Sequence, residues 1–298
     1  MPFFRLVPGS LDFPSPHLAG PDGLLAIGGD FAPERLIVSY SQGIFPWMVY
    51  SGEPVWFSPD PRMVLEPKRL RVHRSLAKVI RRGDFEIRLD SAFPEVVRQC
   101  SQVKRPGQRG SWITKRYIEG FTTLFELGFA HSVEAYSHGQ LVGGLYGLAL
   151  GRVFFGESMF ALEPDASKVA FATFVRQLDA WGFTLIDCQQ ETDHLRRFGA
   201  EPWPRATFLD ALAKAVAPLP RGGDASNPNE EQDTGQDTGQ DQAPDDLDPE
   251  LAFARLGRIG RWSLELQGWD GRLAADEEPA TAQDVPATAT VDRDAGEV

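Results

Sequence analysis

Cysteine is nearly absent: Cys100 and Cys188 are the only two among 298 residues. So few thiols exclude a disulfide-stapled scaffold and suit a reducing compartment. Long apolar runs are missing too, and nothing approaches the ~20 residues a membrane span requires. The opening MPFFRLVPGS has no basic region followed by an apolar one, so no secretory leader and no membrane partner are expected. His131, His138 and His194 lack the spacing of metal ligands, and no metal site is expected. These absences leave a soluble, cytoplasmic protein.

Charge is unevenly spread. Residues 1–220 carry 24 Lys/Arg against 23 Asp/Glu, whereas residues 221–298 carry 6 against 19, so the net −12 belongs to the tail. Within residues 62–116 the balance swings to 15 basic against 5 acidic. A strip of that sign, including Lys68, Arg69, Arg71, Arg74, Arg81 and Arg82, suits a polyanion, because phosphate contacts release counterions. A solvated helix face is the plainer reading of the same run.

Three segments follow from the pattern. Residues 1–61 are rich in Pro and Gly and read as a small domain or lid of tight turns and short extended pieces. They surround one helix, APERLIVSYSQG, with Pro33 in its first turn and Gly43 as its stop. Residues 62–220 alternate helices and strands, with SAFPEVVRQCSQV entered through Ser91 as one of the helices. Three successive strands, AHSVEAYS, QLVGGLYGLALG and RVFFGESMF, precede an amphipathic helix, ASKVAFATFVRQLDAWG, and the strand TLIDCQ. That is an α+β, mixed-sheet order similar to the GNAT acyltransferase fold. Residues 221–298 form a low-hydrophobicity acidic tail with the repeat DTGQDTGQ, expected to be disordered, apart from a possible docking segment at 249–273. Either the tail only solubilises, or it folds onto the basic strip and competes with a polyanion.

Chemistry concentrates where the apolar runs end. Glu157 closes FFGES, and LIDCQ ends on Asp187 and Gln189, which strand alternation would place on one face. Acid and amide groups at a buried strand end are costly unless they are used. Carboxylates that cap turns or pair with Arg are the competing explanation. A CoA enzyme of this fold needs free backbone N–H groups at the start of the long helix. Here the junction reads ALEPDASK, without glycine and with two carboxylates, which disfavours an acetyl-CoA N-acetyltransferase. A non-catalytic tRNA-binding module remains as a further alternative.

The strings DGLLAIGGD, GIFPW, WFSPDPR, SWIT, HSVE, LVGGLYG, FFGESMF, ASK, LIDCQ and HLRRFGA occur in one order over some two-thirds of the chain. Together they resemble the leucyl/phenylalanyl-tRNA–protein transferase family, bacterial aminoacyltransferases of the N-degron pathway. The resemblance implies a small N-terminal domain before a GNAT-like one, no cofactor, and a monomer. It implies Leu-tRNA or Phe-tRNA as donor, with Met as a further donor, and proteins beginning with Arg or Lys as acceptors. Leu145, Phe154, Phe174 and Ile186 would line the donor side-chain pocket, although periodicity alone reads them as core. Trp112 would stack on the terminal adenine. Relatives can carry Asn where Thr192 stands and Met where Leu145 stands.

The reaction implied is aminolysis of an activated ester, which calls for position and electrostatics more than a strong base. In that scheme the Gln189 carbonyl accepts from the incoming amine and Asp187 orients the amide. Glu157 orients the donor or faces the acceptor's basic side chain, and the last proton leaves through water, Asp187 or the ribose 2′-hydroxyl.

Overall fold

The structure, a computed structural model, describes residues 3–7, 9–103 and 111–216. Most of the basic loop KRPGQRGSW, the acidic tail and the 249–273 segment lie outside the described residues.

The extended pieces of the N-terminal stretch pair with one another. They form a four-stranded sheet in the order β1 (Phe4–Arg5), β2 (Leu24–Ile27), β4 (Glu53–Phe57), β3 (Phe45–Tyr50). Ser51 and Gly52, at φ 50° and 84°, join β3 to β4 in a two-residue turn whose twist matches an antiparallel pair. Helix α1 (Pro33–Ser41) follows β2, and the Asp30 carboxylate accepts the Ala32 N–H at 3.0 Å just before it.

A seven-stranded sheet follows, in the order β11 (Glu201–Trp203), β5 (Arg62–Leu65), β10 (Leu185–Gln189), β9 (Val153–Ala161), β8 (Gln140–Leu150), β7 (Ala130–Ser137), β6 (Glu86–Leu89). Neighbours are antiparallel except β9 and β10, which run parallel because helix α5 (Ala166–Ala180) carries the chain across between them. This is the mixed-sheet α+β order expected of a GNAT-like domain.

Residues alternate between two cores. Tyr146, Val153, Phe155 and Leu185 face helices α3 (Phe93–Gln102), α4 (Lys115–Glu126) and α7 (Arg205–Val216). Leu36, Tyr40, Phe45 and Trp56 of the N-terminal segment belong to that same core. Leu145, Phe154 and Ile186 face the opposite side, beneath α5 and α2 (Arg74–Arg82). Helix α5 is not the amphipathic helix expected, for Val169 to Val175 are buried without a break.

Two bulges interrupt the alternation. In β9, Tyr146 pairs with Ser158 and Gly147 with Gly156, leaving Glu157 as an extra residue. In β10, Asp187 pairs with Val64 and Gln189 with Met63, leaving Cys188 extra. The β9–β10 ladder runs only from Leu185 and Val153 to Asp187 and Phe155, and the two strands continue past its end into their bulges.

Other local expectations are modified. The helix expected to enter through Ser91 starts after Ala92, and its cap comes from afar. Glu134 of β7 accepts the Ser91 and Ala92 N–H groups at 3.4 and 3.3 Å. At the start of α5, Asp165 holds Lys168 at 2.6 Å, and a Cβ on Gly143 would lie 2.6 Å from Ala166 Cβ. Strand β8 therefore covers the helix end where a CoA pyrophosphate would have to sit.

Candidate active site

A half-enclosed cavity of about 440 Å³ opens where β9 and β10 end their pairing. Leu145, Phe154 and Ile186 form part of its apolar wall, with Met159, Phe171 and Leu195. Phe174, expected among them, does not reach the cavity. It is fully buried and packs edge-on against Phe154 with ring centres 4.8 Å apart, backing the wall instead of forming it. Trp112 lines the cavity, as does a second indole, Trp47 of β3. Trp112 meets the Tyr117 ring edge-on at 5.1 Å.

Glu157 is the acidic side chain on this wall among the described residues. Its extra position in β9 turns it inward, where three donors converge. Tyr40 donates to Oε1 at 2.6 Å, Tyr117 to Oε2 at 2.7 Å, and the Gln189 amide to Oε1 at 2.8 Å. Burial raises its carboxyl to about 7; the three hydrogen bonds pull the other way, and the nearby Asp187 charge adds to burial. Both tyrosines are pushed well above their usual value, first by burial and then by the Glu157 charge, so they stay protonated donors.

Gln189 lines the cavity beside Glu157. An ionised carboxylate can only accept, so the amide nitrogen faces Glu157 and the carbonyl is left for a ligand. Its backbone sits in the left-handed region at φ 61°.

Asp187 is placed differently from expectation. The bulge at Cys188 shifts the register between Asp187 and Gln189, and Gln189 lines the cavity whereas Asp187 does not. Asp187 is 0% exposed and does not line the cavity. Arg62 clamps it in a bidentate pair, Nε to Oδ1 at 2.8 Å and Nη2 to Oδ2 at 2.7 Å, while the Gln189 backbone N–H donates to Oδ1 at 2.8 Å. It orients Gln189 through the backbone, and the amide itself is oriented by Glu157. Fully paired, it is no route for a departing proton.

The basic strip lies apart from the cavity wall. Lys68 and Arg69 occupy a short turn before Arg71, and Arg74, Arg81 and Arg82 ride on α2, all exposed. Arg69 pairs with Glu66 and Glu201, and Arg82 with Asp84, whereas Lys68, Arg71 and Arg81 form no ion pair among the described residues. His194 connects the two regions: it lines both the cavity and a smaller recess bordered by His73, Ser75, Lys168 and Arg197. Thr192 also lines the cavity, but its hydroxyl is engaged by the Leu195 N–H at 3.2 Å as the cap of α6 (Asp193–Arg197).

Sequence reasoning missed Arg62, Tyr40, Tyr117 and Trp47. A cation inside the apolar run RMVL was the available signal for Arg62. The tyrosines carried none, since each looks like ordinary helix core.

A profile of the leucyl/phenylalanyl-tRNA protein transferase family matches residues 64–213, and one of its N-terminal domain matches residues 29–60. The leucyl/phenylalanyl-tRNA–protein transferase of Myxococcus xanthus (strain DK1622) is 59% identical, over 71% of this chain and 90% of its own. The protein of that name from Anaeromyxobacter sp. (strain Fw109-5) is 55% identical, over 72% of this chain and 92% of its own. Among solved structures, a GCN5-related N-acetyltransferase from Kribbella flavida matches with a TM-score of 0.30 at 14% identity, over 56% of this chain and 59% of that one. That likeness is too remote to add to the topology described above. With relatives this similar matched over nine-tenths of their length, the chain belongs to the leucyl/phenylalanyl-tRNA protein transferase family.

Proposed function

We propose that the cavity takes the leucyl or phenylalanyl ester at the 3′ end of a tRNA and passes the amino acid to the α-amino group of a protein beginning with Arg or Lys. The observation that carries this reading is the union, in one cavity, of an apolar wall and the Glu157–Gln189 pair. The wall of Leu145, Phe154, Phe171 and Ile186 accepts the donor side chain, and methionine, similar in bulk and unbranched, fits as a further donor. Trp112 and Trp47 offer ring faces to the terminal adenine.

The nucleophile is a neutral amine, drawn from an ammonium whose ordinary value is about 7.7–8.0. The Gln189 carbonyl accepts one amine hydrogen and points the lone pair at the ester carbon. As the N–C bond forms and the bond to the ribose oxygen breaks, the nitrogen sheds a proton and the ribose oxygen gains one. Glu157, ionised above about 7, takes the first and is placed to return it. Its charge also favours a cationic first residue in the acceptor. All groups come from one chain, which fits a monomer, and among the described residues no helix is long and apolar enough to cross a membrane. The chemistry suits the cytoplasm, where charged tRNA is made.

Incubation with Leu-tRNA and a fluorescent peptide beginning with Arg tests the reading. The expected product is heavier by one leucine residue, and an Ala-initial peptide should react far more slowly. No mass gain with any aminoacyl-tRNA would sink it.

A further inference from the structure

Two acids serve the site, and they are held in unlike ways. Glu157 faces the cavity and keeps room for a ligand; Asp187 faces away and is saturated. The residue that saturates it is Arg62, at 1% exposure one of the most deeply enclosed charges in the fold.

We propose that Arg62 is a positioning residue for the transfer reaction: acting through Asp187, it fixes the left-handed backbone of Gln189 and so aims the amide at the nucleophile. This rests on the transferase reading above and deepens it.

The guanidinium has no freedom left. Its Nε and Nη2 are spent on Asp187, and its Nη1 donates to the Gly43 carbonyl at 3.1 Å. The rings of Phe45 and Phe208 flank it, with centres 4.6 and 4.7 Å from Cζ. Strand β3, the turn after α1, strand β5 and helix α7 therefore meet on one planar cation. A planar fork is needed to satisfy a carboxylate, a carbonyl and two ring faces together; an ammonium cannot do so.

Asp187 transmits that order. The same Oδ1 that takes Arg62 Nε also takes the Gln189 N–H, one step past the bulge. A residue other than glycine keeps a left-handed backbone only where its surroundings over-determine it. If Asp187 swings, Gln189 has an extended alternative, and its amide leaves Glu157. Neither Arg62 nor Asp187 lines the cavity, so their loss should act on turnover and leave substrate affinity alone.

A double-mutant cycle separates positioning from mere support of the fold. Arg62→Lys, Gln189→Ala and the double variant are compared with the parent under saturating Leu-tRNA and Arg-initial peptide, with thermal unfolding followed alongside. Arg62→Lys should lower kcat by about 10- to 100-fold while both KM values stay within about twofold. Added to Gln189→Ala it should change kcat by less than about twofold, because the amide it aims is gone. Effects that multiply overturn the proposal, as does a raised KM with kcat preserved. A Gln189→Ala variant with full kcat also overturns it while leaving the transferase reading intact, whereas failure of the parent to transfer leucine sinks that reading itself. Should Arg62→Lys not fold, the paired Arg62→Met/Asp187→Leu variant, which leaves no unpartnered buried charge, enters the same cycle.

Discussion

Glu157 makes the fold sensitive to pH. An acid raised from 4.5 to about 7 by burial binds more protons in the folded chain than in the unfolded one between those values. Stability therefore falls as pH climbs through that window and levels off above it, by something on the order of 3 kcal/mol. Glu157→Gln should flatten this slope, so its denaturation midpoints near pH 5 and pH 8 should differ less than those of the parent. Tyr117 holds the carboxyl down by donating to it, so Tyr117→Phe should move the acidic limb of kcat/KM to higher pH. An unmoved limb with the same peptide would remove Glu157 from the proton path. On the apolar wall, Leu145→Ala makes room, and the ratio of kcat/KM for Phe-tRNA over Leu-tRNA should rise by about tenfold, a contrast of the size expected from a few methylenes.

At the scale of elements, the site is made by interruptions of regular structure. A perfect ladder would bring Asp187 and Gln189 to one face, and that is what alternation in LIDCQ suggests. The extra residue at Cys188 breaks that register, so that Gln189 reaches the cavity and Asp187 does not, and no composition signal marks which residue of a strand will be the unpaired one. The strands themselves and the crossover helix were legible, because apolar runs of that length have few other uses. The Leu145, Phe154 and Ile186 wall followed only from the family resemblance, since periodicity reads those residues as core. Phe174 was not separable from Phe171: a helix buried almost all round loses the 3.6-residue signature that tells one face from another. Arg62 and Tyr40 were hidden for another reason, since their partners lie 125 and 117 residues away. The bulge in β9 also explains a glycine. A Cβ on Gly147 would lie 2.1 Å from the Phe155 carbonyl and 2.5 Å from Phe154 Cζ. Gly147→Ala should destabilise by about 1–3 kcal/mol and, by displacing Phe154, raise KM for the donor. Chemical denaturation and donor titration check the two halves independently.

For the whole molecule, charge and core divide the labour. The basic strip stands outside the cavity, so it should govern affinity for the RNA and leave the chemistry unaffected. Lys68, Arg71 and Arg81 are among the strip's cations without an intramolecular ion pair among the described residues, so they are open to phosphates. Replacing the three with Ala should reduce the slope of log K against log salt by about 2, with kcat at saturating tRNA unchanged. An unaltered slope would assign the strip another task. Arg69 and Arg82, already paired, should contribute less.

The segment between Tyr40 and Phe45 gives the first sixty residues a standing that their size conceals. It supplies a hydroxyl to one acid and a carbonyl and a ring to the cation that holds the other. Chimaeras that graft this part from a distant homologue should therefore succeed or fail on three positions, Tyr40, Gly43 and Phe45, whatever the similarity elsewhere. Swinging it aside to admit a bulky nucleic acid would dismantle the machinery, so the entrance must be built from other parts.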